Sequence, residues 1–320
     1  MNSQPISILM PIRNGIEFLP QSKADITLNA RPQDEILLVD DNSDDGSTSF
    51  LQIWKNQDSR VRILTNPANN QGIANALNLG IREATHSLIG RFDVDDKYDK
   101  NRLEIQLTEL RKSNSVGVFS DYSFFSESEK YLGKMPSPIY PAPTSISLLT
   151  NRRTPHSSAL LSKIAILEVG GYRQQDFPAE DLSLWLRLSR IGDLVTIPKN
   201  LLNYRISSNS VSSLRQKEMI SRRRTLQVEI GINKKDVNFA VANIKNILKS
   251  YTDHPDESLR KILFLKDLAD YYKITESKKE LVKLLSKILV EVPLSSRAIG
   301  EYKQFYSETK NRQAIRNLNF

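Results

Sequence analysis

The 320-residue chain contains no cysteine. Structural disulfides and thiolate metal sites are thereby excluded, and a reducing compartment fits. The chain also lacks an uninterrupted apolar run of about 18 residues, so no bilayer-spanning helix is expected. Its first stretch, "MNSQPISILMPIRNG", has neither a basic leader nor an apolar segment long enough for a secretory signal. The expectation is a cytoplasmic protein, in contact with the inner face of the membrane only peripherally. What the chain does have is 39% hydrophobic and 26% charged residues, enough to fold around a substantial core.

The net charge of +8 is unevenly spread. Residues 1–214 carry 23 Lys+Arg against 24 Asp+Glu, a balance of −1, and residues 215–320 carry 22 against 13, a balance of +9. The basic excess can face an anionic membrane, with "SRRR" at 221–224 as its densest run, or be ordinary solvated helix surface. No aromatic-basic interleaving stands out, so no nucleic-acid partner is expected. Self-association as a homodimer stays open.

Along residues 1–120 two periodicities alternate. "PISILMPI", "EILLVDD", "RVRILTN" and "HSLIGRFDVDD" read as short strands. "EFLPQSKADITLNA", "DGSTSFLQIWKNQ", "QGIANALNLGIREAT" and "DKNRLEIQLTELRKS" read as helices. In the third, Ile73, Ala76, Leu77, Gly80 and Ile81 fall on one face. This alternation predicts right-handed βαβ units and a mostly parallel sheet. "VGVFSDYSFF" predicts a further strand, "GKMPSPIYPAPTS" an irregular loop, "PAEDLSLWLRLSRIG" a helix with acids at its N-terminus, and "LVTIPKNLLNYRIS" one or two strands. From about residue 215 the pattern is helical only. The expected organisation is an α/β domain over 1–214 and a basic, all-α region over 215–320.

Parallel strands bring their carboxyl ends to one edge, where ligands bind in open α/β sheets. Arg13 and Asn14 follow the first strand, Asp40 and Asp41 the second, and Asp93, Asp95 and Asp96 the fourth. Carboxylates this close repel unless a cation sits between them. The bland alternative is a solvated turn. Asp99 reads as the N-cap of the next helix, and Trp185 as core.

Six segments in order resemble family 2 glycosyltransferases of the GT-A fold, bacterial surface-polysaccharide type. They are "ISILMPIRNG", "EILLVDDNSDDGS", "NQGIANALNLGI", "RFDVDD", "AEDLSLWLRL" and "NYRISSNSVS", and together they span roughly residues 5–212. The resemblance implies a Rossmann-like sheet flanked by helices and transfer of a hexosyl or N-acetylhexosaminyl unit. The donor it implies is a nucleotide sugar, UDP-linked, and the acceptor a hydroxyl of a glycan or lipid-linked molecule. By that resemblance Pro11, Arg13, Asn14, Asp40, Asp41 and Asn75 serve the nucleotide, and Asp41 accepts from the uracil N–H. Asp93 holds ribose or a metal-bound water, and Asp95 is the direct ligand of Mn2+ or Mg2+. A hard cation suits such a site, because one or two carboxylates suffice when the diphosphate supplies further oxygens.

Asp181 is expected as the general base that deprotonates the acceptor, kept ionised by the helix N-terminus, with Glu180 orienting it or binding acceptor hydroxyls. A single catalytic carboxylate implies inversion. Asp40, Asp41, Glu180 and Asp181 can instead merely stabilise helix starts. His156 lies near the expected acceptor side, but a lone histidine is more often structural. One departure stands out. Where relatives often carry a His after the Tyr-Arg pair, this chain has Ile206-Ser207-Ser208, so Ser207 or a neighbour would have to replace it. A sugar nucleotidyltransferase would favour a Gly-rich basic loop after the first strand, which "MPIRNGIEF" is not. A non-catalytic scaffold would be expected to lose Asp95 or Asp181, and both are present.

Overall fold

The computed structural model describes residues 4–135, 154–208 and 210–230. The helical region expected beyond residue 230 and most of the proline-rich loop lie outside them. The strands are β1 Ser7–Ile12, β2 Glu35–Asp40, β3 Val61–Thr65, β4 Leu88–Arg91, β5 Lys97–Tyr98, β6 Gly117–Ser126, β7 Tyr131–Met135, β8 Leu160–Ser162 and β9 Leu194–Ile206. The helices are α1 Leu19–Asn29, α2 Ser47–Gln57, α3 Ile73–Glu83, α4 Arg102–Ser113, α5 Lys163–Glu168, α6 Glu180–Leu188, α7 Val211–Leu214 and α8 Gln216–Glu229.

One sheet runs in the order β3-β2-β1-β4-β8-β6-β9-β5, with β7 on the flank of β6. The first four strands pair in parallel, as the βαβ rhythm requires. β8 then enters antiparallel to both β4 and β6, while β6 and β9 pair in parallel. In register, Ile12 pairs with Asp40 and Asp40 with Thr65. The residues that follow β1 and β2 therefore leave the sheet side by side.

β1 and β2 are buried throughout, which explains their continuous apolar runs. Side chains alternate between two cores. Ile8, Met10 and Ile12 pack with Leu19, Trp54 and Leu103 from α1, α2 and α4. Leu9 packs with Leu77 and Ile81 of α3 and shares its core with Leu182 and Trp185 of α6. Gly80 permits the close approach of α3, since a Cβ there would lie 2.2 Å from Leu9 Cδ1. Trp185 is 1% exposed and meets Phe119 edge-on, the core role its spacing indicated. Met219 and Leu226 of α8 join this second core.

Asp99 is not the N-cap of α4. Asn101 holds that position, and the Asp99 carboxylate accepts the Asn101 N–H at 2.8 Å. Arg102, the first helical residue, is fully buried. Its guanidinium donates to the carbonyls of Arg91 and Ala159.

Candidate active site

The carboxyl ends of the strands open onto a cavity of about 520 Å³. Pro11, Arg13, Asp41, Asp93, Asp95, Glu180 and Asp181 all line it. Among the residues expected to serve the nucleotide, Asn14, Asp40 and Asn75 do not. Asn14 adopts a positive φ of 52°, and its side-chain oxygen accepts the Asp44 N–H at 2.9 Å. Asp40 accepts from the Ser43 N–H at 3.0 Å and from the Thr48 hydroxyl. Both side chains order the loop before α2. Asn75 donates to the Gln71 carbonyl at 3.4 Å, within its own helix start.

Asp41 is 5% exposed. Its carboxylate accepts from Asn66 Nδ2 at 2.6 Å and from the Gly72 N–H at 3.0 Å. A carboxylate has lone pairs to spare after two such bonds. Gly72 is required where it stands, with φ at +123° and Gln174 2.9 Å from the position a Cβ would take.

The acid cluster after β4 divides into two roles. Asp93 pairs with the guanidinium of Arg91, a residue only 2% exposed. Burial and the Asp93 charge push Asp95 up to about 6. Asp96 does not line the cavity. It is 2% exposed, accepts the Arg205 N–H at 2.9 Å on one oxygen and the Ser157 hydroxyl on the other. Burial, ahead of the Asp95 and Asp93 charges, raises it well above the usual carboxylate range. Arg205 completes the brace, since its Nε donates to the Asp95 carbonyl at 2.9 Å and its guanidinium to Glu129 at 3.0 Å. It also lies over the rings of Phe18 and Phe125.

Two carboxylates in one wall suit a hard divalent cation that takes its remaining ligands from phosphate and water. The proximity of Asp93, which raises Asp95, is the strain such a cation relieves. Among the described residues no group of three or more His, Asp or Glu side chains forms a cage for a metal. Asp93 and Asp95 are the two carboxylates of that wall that could contribute ligands to one.

Glu180 and Asp181 open α6 on another side of the cavity. Glu180 is 8% exposed, and its Oε2 has no hydrogen-bond partner among the described residues. Burial, then the Asp181 charge, pushes it up to about 8. Asp181 is half-buried, and its Oδ1 accepts the Leu182 N–H at 2.6 Å. His156 also lines the cavity, but its Nε2 is bonded to the Tyr172 hydroxyl at 2.6 Å. Burial, then Arg91, holds its pKa well below the usual histidine value. It is a ring-packed residue, edge-on to Trp185.

Sequence reasoning missed several walls. Tyr122, Phe124 and Tyr204 line the cavity as an edge-to-face aromatic cluster. Alternation along β6 and β9 is the signal that marks their shared face. Met219 and Arg223 line it from α8. The run "SRRR" is therefore not the basic patch its composition suggested. Arg222 pairs with Asp176, Arg223 is 5% exposed, and only Arg224 of the three is exposed. Among the described residues no helix is long and apolar enough to cross a membrane.

Comparison with known proteins bears on the family and the fold. An uncharacterized glycosyltransferase of Haemophilus influenzae is 25% identical over 290 residues, covering 86% of this chain and 89% of its own. The Escherichia coli UDP-Glc:alpha-D-GlcNAc-diphosphoundecaprenol beta-1,3-glucosyltransferase WfgD is 26% identical, covering 68% of this chain and 84% of its own. Some relatives are longer: the chain spans 34% of an uncharacterized Rickettsia conorii glycosyltransferase, at 24% identity over 66% of this chain. In fold, residues 1–349 of Staphylococcus aureus TarS in complex with UDP-GlcNAc align with a TM-score of 0.60 at 13% identity, covering 86% of this chain and 92% of that one. The Pyrobaculum calidifontis mannosyltransferase PcManGT, in complex with GDP-Man and Mn2+, aligns with a TM-score of 0.59 at 14% identity, covering 97% and 81%. The model of glycosyl transferase family 2 matches residues 7–174, just over half of the chain, and the chain belongs to that family.

Proposed function

We propose that the chain is an inverting, metal-dependent glycosyltransferase. It moves a hexosyl or N-acetylhexosaminyl unit from a UDP-sugar to a hydroxyl of a glycan or lipid-linked acceptor. The observation that carries this reading is the meeting of three acidic elements in one cavity: Asp41 beyond β2, Asp93 and Asp95 beyond β4, and Glu180 and Asp181 at the start of α6. Glycosyl transfer needs those three services, namely base recognition, leaving-group neutralisation and proton removal. The named activity of the E. coli relative and the UDP-GlcNAc complex of TarS favour a UDP-linked donor. The Mn2+ in the PcManGT complex favours a divalent metal.

In this reading Asp41 accepts from the uracil N–H, while Pro11 and Arg13 flank the nucleotide. Asp95 and Asp93 hold Mn2+ or Mg2+, which supplies charge neutralisation to the departing diphosphate. Asp181 removes the acceptor proton as the hydroxyl attacks the anomeric carbon, so an α-linked donor yields a β-linked product. Glu180, whose buried Oε2 has no partner among the described residues, accepts a hydrogen bond from the acceptor or orients Asp181.

The test is a thermal-shift screen of nucleotide sugars and nucleoside diphosphates with and without Mn2+ or Mg2+. A ligand that binds only the native state raises its melting temperature by mass action. UDP with metal is expected to raise it most. No shift with any nucleoside diphosphate and metal contradicts the reading.

A further inference from the structure

We propose that α8 completes the donor pocket and that Arg223 is the residue that neutralises the terminal phosphate of the departing nucleoside diphosphate. This rests on the nucleotide-sugar reading above and names a residue which that reading lacks. The electrostatic need is plain. A nucleoside diphosphate carries more negative charge than a divalent cation shared with two carboxylates can offset alone, so further cations in the same cavity add to its neutralisation. Three arginines line the cavity. Arg91 is engaged by Asp93, and Arg13 is exposed. Arg223 is buried at 5% exposure, where the low effective dielectric makes a charge count for more.

The way α8 is held supports a placed rather than an incidental arginine. Its neighbour Arg222 pairs with Asp176, a carboxylate 2% exposed whose other oxygen accepts the Ser183 hydroxyl on α6. Arg222 thus fastens α8 to the helix that begins with Glu180 and Asp181. One residue on, about 100° round the helix, Arg223 falls on the cavity side together with Met219, one turn earlier. The departure at 206–208 points the same way. Ser207, in the stretch where relatives often carry a His, donates instead to Glu127 at 2.7 Å, and Ser208 donates to the same carboxylate. Neither lines the cavity, whereas Ser210 and Ser212 do. After Ser207 the next basic residue that lines the cavity is Arg223, sixteen residues on, in a helix beyond the span that the family model matches.

The experiment is calorimetric titration of UDP and UMP into the full chain with saturating Mn2+, for wild type, Arg223→Gln and Arg223→Lys. A lost charge-assisted hydrogen bond corresponds to a loss of about tenfold or more in affinity. Arg223→Gln is expected to lose that for UDP and to change UMP binding by less than about twofold on the same scale, so the UDP-to-UMP ratio collapses. Arg223→Lys keeps the charge without the planar fork and should fall between. If Arg223→Gln does not fold, as read from its melting temperature without ligand, the lysine variant gives the same ratio. An unchanged ratio in the folded variants, whether affinity is equal or uniformly reduced, overturns the inference and leaves Arg223 a packing residue. Failure of the wild type to bind UDP overturns the nucleotide-sugar reading itself, and the inference with it.

Discussion

The cavity holds two pairs of acids, and their surroundings differ. Asp93 and Asp95 stand at the end of β4 against a buried arginine, with the loop beneath them pinned by Asp96 and Arg205. Glu180 and Asp181 stand at the start of α6, where Glu180 has an oxygen with no partner among the described residues and is pushed up to about 8 by burial and the Asp181 charge. The first pair is partly counter-charged by Arg91, and its Asp95 is pushed up to about 6 by burial and the Asp93 charge, a repulsion that the proposed cation would relieve. In the second pair Glu180 is buried and uncomfortable when charged, as a group that takes and gives protons is. Two acidic motifs that look alike in sequence therefore differ in chemistry through what lies behind them.

The difference is sharpest in turnover. Asp181→Asn preserves shape and a hydrogen bond but cannot accept a proton. Transfer is expected to fall by about 10²–10⁴-fold, while affinity for UDP with metal stays near wild type, measured by steady-state kinetics beside calorimetry. Turnover near the wild-type rate would move the base to Glu180. Unfolding or lost UDP affinity would make Asp181 structural.

A smaller effect is expected from the brace. Arg205→Lys removes the bond from Nε to the Asp95 carbonyl without touching either carboxylate. Residues that orient metal ligands are commonly worth about 10–100-fold in metal affinity. The apparent Mn2+ affinity, read from Mn2+ titrations of UDP binding, should weaken on that scale while metal-free UDP binding is unchanged. An unaltered Mn2+ dependence would show that the loop needs no such support.

A third effect concerns stability. The folded-state pKa of Glu180, about 8, lies above the unfolded value for a glutamate. The folded state therefore holds this proton where the unfolded chain releases it. That contribution is fully present below about pH 4.3 and is lost as pH rises through about 8. Glu180→Gln has no such proton to lose. In metal-free, ligand-free protein its melting temperature relative to wild type is expected to be higher at pH 9 than at pH 5. A pH-independent difference would mean that Glu180 is not held protonated.

Much of this arrangement was legible in the sequence because it is local or follows from parallel strands. The run "EILLVDD" marks a buried strand ending in acids, and parallel pairing alone carries Asp41 to the same edge as Asp93. The acidic start of "EDLSLWLRL" marks a helix N-terminus. What stayed hidden depends on pairing over distance. β8 has three residues, too few for a period, yet it bridges β4 and β6. Asp96 reads like its acidic neighbours, and only the approach of Arg205 and Ser157 from over sixty residues away turns it from the cavity into the brace. Arg223 sits in a charge run that composition assigns to solvent, and its burial is decided by the docking of Arg222 on Asp176. Asn14 and Asp40 carry the polarity of nucleotide ligands, but backbone N–H groups in the next loop reach them first.

The central claim is that the pair at β4 seats a cation and the pair at α6 does not. The most direct measurement is UDP binding by calorimetry, with and without Mn2+, for wild type, Asp95→Asn and Asp181→Asn. Mn2+ is expected to strengthen binding in wild type and in Asp181→Asn and to have no effect in Asp95→Asn. Binding of UDP with Mn2+ by Asp95→Asn as tight as by wild type would contradict the claim and make the acid cluster after β4 a solvated turn.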